Sequence, residues 1–356
     1  MKKVLTIGGA MYDTFIEYEK VETFFENDVS YVALQAGKKI EVDTVFNHCG
    51  GGAPNSAISF AHAGFEVEAF FKIGDDLAGE FILNRLNTHN IVTSNVIKTS
   101  ALSTGHSFIM SHPEGNRPIL AYRGANLTMQ EEDVPKDSVA YADQLYITSL
   151  NGKSSSVLLP LVMLAKKYKK NSAVNPGTHQ LCDDVDVLRT ALPYIDTLIL
   201  NSHEAQLLMA SLIKTTAAEK NDAPDVLHLP LGTLNNCFSL TDFFRTIHQC
   251  GPSVVVVTNG AEGVYVSDKN SVFFHPSIKI SHVISTVGAG DAFSSTFISY
   301  LLHNYSIEDA LRAGIINSAS VIQHVGAQTG LLNKKDIDDR LLSFDKNLVQ
   351  RYSLIL

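Results

Sequence analysis

Short apolar runs rich in branched residues punctuate the chain: KVLTIGG (3–9), VEAFFKIG (67–74), QLYITSL (144–150), DTLILN (196–201) and SVVVVTNG (253–260). Each ends in a turn residue or a polar group. Near-continuous hydrophobic runs of this length predict strands of a parallel sheet covered on both faces. Between them lie helical patterns. NSAISFAHAG (55–64) closes on Gly64, residues 203–213 and 292–303 carry apolar positions at helical spacing, and SIED (306–309) is a capping box opening a helix over 307–324. Strand–helix alternation predicts a layered α/β fold.

Two segments depart from that alternation. Residues 29–47 read as two strands around an Ala-Gly-Lys turn, and residues 104–123 as two more around PEGN. They predict a small β-layer beside the main sheet, a lid made of 15–47 and 101–123, with 1–14, 48–100 and 124–356 forming the large domain. The alternative is a pair of surface hairpins without function. The polar, proline-containing stretch 215–235 reads as a surface insertion.

Composition narrows the class. Of 356 residues, 45% are apolar and 18% charged, enough for a large core. A formal net charge of −9 without a Lys/Arg block argues against nucleic acid or an anionic membrane as partner. Cys49, Cys182, Cys237 and Cys250 form no CxxC pair, which favours reduced thiols and a cytoplasmic location over a disulfide scaffold or zinc site. The 13 histidines show no metal-ligand spacing, and HEAQ (203–206) lacks the second His of a zinc-hydrolase motif.

The chemistry concentrates in ISTVGAGDAFSSTFISYLL (284–302). Phe293, Phe297, Tyr300 and Leu301 recur at helical spacing, so a helix begins near Ala289. Its first amides lack intrahelical partners, and Gly-Ala-Gly lets that backbone approach a ligand, which makes an anion site. Asp291 stands beside it, where a carboxylate accepts a proton from an attacking hydroxyl; together these describe phosphoryl transfer. A first-turn acid that merely answers the helix dipole is the plainer alternative.

TVGAGD (286–291) before an apolar helix resembles the C-terminal signature of the ribokinase-like (PfkB) carbohydrate and nucleoside kinases. GGGAPNSA (50–57), GDDLAG (74–79), NSHE (201–204), TNGAEG (258–263) and GAQTG (326–330) resemble further motifs of that family, in its order, from about residue 4 to about 330. The resemblance implies a three-layer α/β/α sandwich with a mostly parallel sheet and a β-lid, and an ATP-dependent kinase acting on a sugar or a nucleoside. It implies Asp291 as general base and the amides of Gly288, Ala289 and Gly290 as the anion hole. Asn201 and Glu204 would organise Mg²⁺ and the ATP phosphates through waters. Thr258, Gly260 and Gly263 would line the nucleotide site, with Asn317 near the adenine. On the acceptor side it implies Asp13 for a vicinal diol, with Gly50, Gly51 and Asn55 completing the floor and Arg123 at the lid. Taken alone, NSHE is also a strand-end Asn with a first-turn Glu, GGGAPN a loop before a helix, and Arg123 a solvated strand end.

Ser285 stands where the signature normally opens with Asp, so activation by K⁺ is not carried over. Two other classes are weighed. IGGAMYD (7–13) is not the G-x-G-x-x-G of a dinucleotide-dependent oxidoreductase, and a non-catalytic sugar or nucleotide sensor must explain why Asp291 is in place. Open β-layers pair readily, so a homodimer through the lid strands is expected.

Overall fold

The computed structural model describes residues 1–18, 21–26, 29–111, 118–212 and 239–354. The PEGN turn and the stretch 215–235 lie outside the described residues. A nine-stranded sheet runs in the order Gln350–Ser353, Ser271–His275, Val264–Asp268, Val254–Thr258, Thr197–Asn201, Asn171–Val174, Gln144–Ile147, Lys3–Ile7, Glu66–Phe70. From Val254–Thr258 to Glu66–Phe70 every pairing is parallel, and the three strands at the other edge are antiparallel.

Period-two geometry divides the apolar runs between two cores. Leu198, Leu200, Val255 and Val257 face one core; Ile199 and Val256 face the other. Helices Leu158–Lys167, Ser202–Leu212 and Leu240–Cys250 cover the first face. Helices Gly52–His62, Ala289–Leu302 and Ile307–Val321 cover the second. The three-layer α/β/α sandwich expected from the sequence is therefore the observed fold. Ser306 caps its helix, with Oγ accepting from the Asp309 amide at 3.1 Å. The helix that precedes Gly64 ends at His62, and Gly64 takes φ 86°.

The small layer differs in detail from the sequence reading. Its four strands run Ile119–Tyr122, Gly105–Ser111, Met11–Glu17, Thr44–Gly50. Met11–Glu17 pairs antiparallel with Thr44–Gly50 and parallel with Gly105–Ser111. This sheet thus crosses the expected boundaries at 14/15 and 47/48. Residues 29–47 do not form one hairpin either: Val29–Ala33 pairs with Glu22–Glu26 as a separate two-stranded sheet. The run 67–74 is also divided, since Lys72–Gly74 leaves the main sheet to pair with Ile97–Thr99. Phe71, fully buried between the two strands, keeps the apolar run unbroken and hides the change of sheet from the sequence.

Two polar clamps hold the small sheet to the large one. Asn126 accepts from the Ala10 amide at 2.9 Å and donates to the Ala10 carbonyl at 2.7 Å, fixing the chain where it passes between layers. Within GDDLAG, Asp76 caps the helix Leu77–Asn87 by accepting from the Gly79 amide (2.8 Å), and it also accepts from the Thr104 amide (2.8 Å) and Thr104 Oγ1 (2.6 Å). This ties the helix start to the segment that enters Gly105–Ser111. Asp76→Ala leaves those donors unpaired, and the expected cost is about 1–3 kcal/mol of unfolding free energy, read from denaturant midpoints at unchanged slope.

Candidate active site

An open parallel sheet leaves its ligand crevice beyond the carboxyl ends of its strands. Lys3–Ile7, Thr197–Asn201 and Val254–Thr258 all deliver chain there. The helix Ala289–Leu302 starts at the same end, and its N-cap, Gly288, is left-handed at φ 79°. A Cβ on Gly288 would stand 2.3 Å from Cβ of Ala327, so both the backbone angle and the close approach of the 326–330 loop require glycine. Gly290 meets nothing within 4 Å and leaves the helix start open. Among the described residues, the amides of Gly288, Gly290 and Asp291 find no acceptor, whereas the Ala289 amide turns back to the Thr286 carbonyl at 3.3 Å. The free donors are thus offset from the expected Gly288–Ala289–Gly290 set by that one long bond.

Asp291 accepts a 2.8 Å hydrogen bond at Oδ2 from Asn55 Nδ2. Burial pushes its carboxyl up to about 6, against the lowering pull of Asn55. A second carboxylate faces it. Asp13 lies inward on Met11–Glu17 between Met11 and Phe15, and burial likewise raises it to about 6, with the Ser107 hydroxyl opposing and the Asp291 charge adding. Asp13 Oδ2 lies so close over Gly50 that a Cβ there would be 1.8 Å away, and Gly51 adopts φ 89° against the Gly9 carbonyl. Asp13, Gly50, Gly51, Asn55 and Asp291 therefore converge as the sequence reading expected. The Tyr146 phenol is raised by burial and then by the Asp291 charge.

On the other side of the helix start lies a cavity of ≈ 770 Å³. Asn201, Thr258, Gly260, Gly263, Ala289 and Gly290 all line it, and Phe293, Ile278 and Ile322 give it apolar walls. Asn201 and Glu204 form a reciprocal cap: the Asn201 amide donates to Glu204 Oε2 and the Glu204 amide to Asn201 Oδ1, both at 2.8 Å. Burial raises the Glu204 carboxyl above its ordinary range, opposed by the Asn201 amide.

One expected residue stands elsewhere. Asn317 is 1% exposed and outside the cavity lining; its Nδ2 donates to Thr296 Oγ1 (2.7 Å) and its Oδ1 accepts from the Leu332 amide (2.9 Å). Both ends of its amide are spent holding two segments together, which corrects the expected adenine contact. Arg123 is exposed just after the lid strand Ile119–Tyr122. The sequence reading missed Gln328, which reaches the acceptor side: its Nε2 donates to Asn55 Oδ1 at 3.0 Å and to the Cys49 carbonyl at 2.8 Å. It also missed Ser107, opposite Asp13 in the sheet register. GAQTG carried a signal for Gln328, but it pointed to the nucleotide.

A glycine-opened helix start thus lies between a pair of raised carboxyls and a cavity. The profile of the pfkB family carbohydrate kinases matches residues 1–334. The ribokinase of Staphylococcus aureus (strain COL) is 27% identical over 333 residues, 92% of this chain and 96% of that protein. The structure of Arabidopsis thaliana ribokinase complexed with ribose and ATP superposes with a TM-score of 0.75 at 20% identity, covering 97% of this chain and all of that one. The nucleoside kinase of Methanocaldococcus jannaschii, an archaeal member of the ribokinase family, gives 0.72 at 19% identity, covering 97% and 99%. The chain belongs to the pfkB family, and it is a carbohydrate kinase. Among the described residues no helix is long and apolar enough to cross a membrane.

The raised carboxyl has a cost that can be read directly. Below about pH 4 Asp291 is protonated folded or unfolded; above about pH 6 it is ionised in both, and the folded state carries the burial penalty. Asp291→Asn is therefore expected to raise the unfolding free energy by about 3 kcal/mol at pH 8, with the gain vanishing towards pH 4. Urea titrations of both proteins at the two pH values check it.

Proposed function

We propose that the protein transfers the terminal phosphoryl group of ATP to a hydroxyl of a sugar, with Asp291 as general base. The observation that carries this is a half-buried carboxylate, raised to about 6, at the start of a helix whose amides are free. Asp13, over Gly50 and opposite Ser107, orients the acceptor by accepting from its hydroxyls. As the acceptor oxygen forms its bond to phosphorus, its proton passes to a carboxylate oxygen of Asp291 and the bond from the transferred phosphorus to the departing ADP oxygen breaks. The amides of Gly288, Gly290 and Asp291, with the positive helix end, meet the charge on the transferring group; donors of this kind contribute about 3 kcal/mol each in other enzymes. The cavity beside them takes the nucleotide, its apolar walls suiting a base and Thr258, Gly260 and Gly263 lying along it.

Mg²⁺ fits this donor set as a largely hydrated ion. Glu204 commits Oε2 to the Asn201 amide and keeps Oε1, and Mg²⁺ retains waters while taking one or two carboxylates plus phosphates. When bound, the ion neutralises phosphate charge. Glu204 and Asn201 would hold its waters.

The likeness to a sugar kinase and a nucleoside kinase leaves both acceptor classes in play. The recess between Asp13 and Asn55 suits vicinal hydroxyls, which ribose presents free or within a nucleoside. Coupled ADP release with MgATP across pentoses, hexoses, keto-sugar acids and nucleosides tests the reading. One acceptor class is expected to turn over, and Asp291→Asn is expected to lose kcat by about 10²–10⁴-fold with KM for MgATP within about twofold. Equal turnover by the variant would sink the base assignment. Because Asp13 and Asp291 are both raised to about 6 and both act as carboxylates here, kcat/KM is expected to fall below about pH 6 with a limiting slope greater than one proton.

The lid also supports a homodimer. Phe24, Phe25 and Tyr31 are exposed on the two-stranded sheet, and Ile119, Leu120 and Tyr122 on the edge strand of the four-stranded one. Light scattering after size exclusion is expected to give twice the chain mass, and Leu120→Lys to halve it. A monomer across micromolar concentrations would remove the proposal.

A further inference from the structure

Asn55 does not reach Asp291 unaided. Arg85, on the helix Leu77–Asn87, donates from Nε to Gln328 Oε1 at 3.1 Å; Gln328 Nε2 donates to Asn55 Oδ1 at 3.0 Å; and Asn55 Nδ2 donates to Asp291 Oδ2 at 2.8 Å. We propose that Arg85 and Gln328 are positioning residues, which set the direction of this hydrogen-bond chain and so fix the face that Asn55 presents to Asp291. The inference rests on the reading of Asp291 as the base.

The direction follows from chemistry, because amide ends are alike in shape but opposite in role. A guanidinium only donates, so the end of Gln328 that meets Arg85 is its carbonyl. Independently, the Cys49 carbonyl only accepts, so the end of Gln328 that meets it is its NH₂. With Gln328 held from both sides, Asn55 must turn its oxygen to Gln328 and its NH₂ to Asp291. A donor there stabilises the ionised carboxylate, the form that takes a proton. Asn55 and Gln328 are 5% and 6% exposed, so water does not substitute freely.

Other titratable groups surround the chain. Asp13 and Tyr146 face Asp291, whose charge adds to burial in raising each of them. His48, His62 and His89 face Arg85; burial first, then the Arg85 charge, lowers each. Both effects favour the neutral imidazoles.

A glutamate in place of Gln328 separates direction from mere packing. Gln328→Glu keeps the shape and strengthens the contact to Arg85, but its second oxygen accepts only. It faces the Cys49 carbonyl without a donor and draws the Asn55 NH₂ to itself, turning the Asn55 oxygen onto Asp291. Gln328→Met removes the link without reversing it.

The test compares Gln328→Glu, Gln328→Met, Arg85→Met and Asp291→Asn with the parent, using MgATP and the panel acceptor of highest kcat/KM. Gln328→Met is expected to lower kcat about ten-fold or more, leave KM for MgATP within about twofold and move the acid limb to higher pH. Gln328→Glu is expected to lose more and move further, with Arg85→Met falling between it and the parent. The Asp291 carboxyl ¹³C titration in the free protein reads the same shift without an acceptor. A Gln328→Glu enzyme as active as the parent, or more active than Gln328→Met, overturns the proposal, as does an unmoved carboxyl titration in both folded Gln328 variants. Arg85 is only part-buried, so Arg85→Met keeps the test open should the Gln328 variants fail to fold. If Asp291→Asn turns over like the parent, the base reading fails and this inference with it. If Asp291→Asn is inactive and the Gln328 variants are unaffected, only this inference fails.

Discussion

The structure turns on one carboxylate held at the start of a helix. Burial penalises the charge of Asp291, while the helix end and the Asn55 amide favour it, and burial wins enough to raise the carboxyl to about 6. A base at that level is ionised at neutral pH and still takes a proton readily. Three glycines shape its surroundings. Gly288 lets the 326–330 loop close against the helix start, Gly50 lets Asp13 approach, and Gly290 leaves the helix start open. Asn55 and Gln328 are spent on one another beside Asp291, whereas the amides of Gly288, Gly290 and Asp291 stay free.

The sheet and the lid divide the work. Strands of the parallel sheet deliver Asn201 and Thr258 to one end and hold the cavity wall. The lid sheet delivers Asp13, and Asn126 and Asp76 pin it to the large layer near where the chain crosses. The cluster around Asp13 draws on both layers, since Asn55 stands on a helix of the large sheet, and the cavity along Asn201 and Thr258 belongs to the large layer.

How far the sequence was legible varied with the physics behind each feature. Buried parallel strands are nearly all apolar, so five of the six stood out; Asn171–Val174, half of it Asn171 and Ser172, did not, nor did the change of sheet at Phe71, where both sheets bury their residues. The lid was legible as β-structure, but its pairing was not. Met11–Glu17 lies against both Thr44–Gly50 and Gly105–Ser111, contacts that no local turn specifies. The antiparallel edge, from Val264–Asp268 to Gln350–Ser353, gave no strand in the sequence reading. Within the site, glycines and Asp291 stood out because few residue types suit a tight helix start. Asn317 and Gln328 are both buried amides in or after the same helix, and only the fold tells which one turns inward to Thr296 and which one reaches Asn55.

The contact between Asn55 and Asp291 spans 236 positions of chain. Synthesis runs from the amino terminus, so Asp13 and Asn55 leave the ribosome long before the helix Ala289–Leu302 that carries their partner. The order of the segments thus makes completion of this cluster wait for the C-terminal helices.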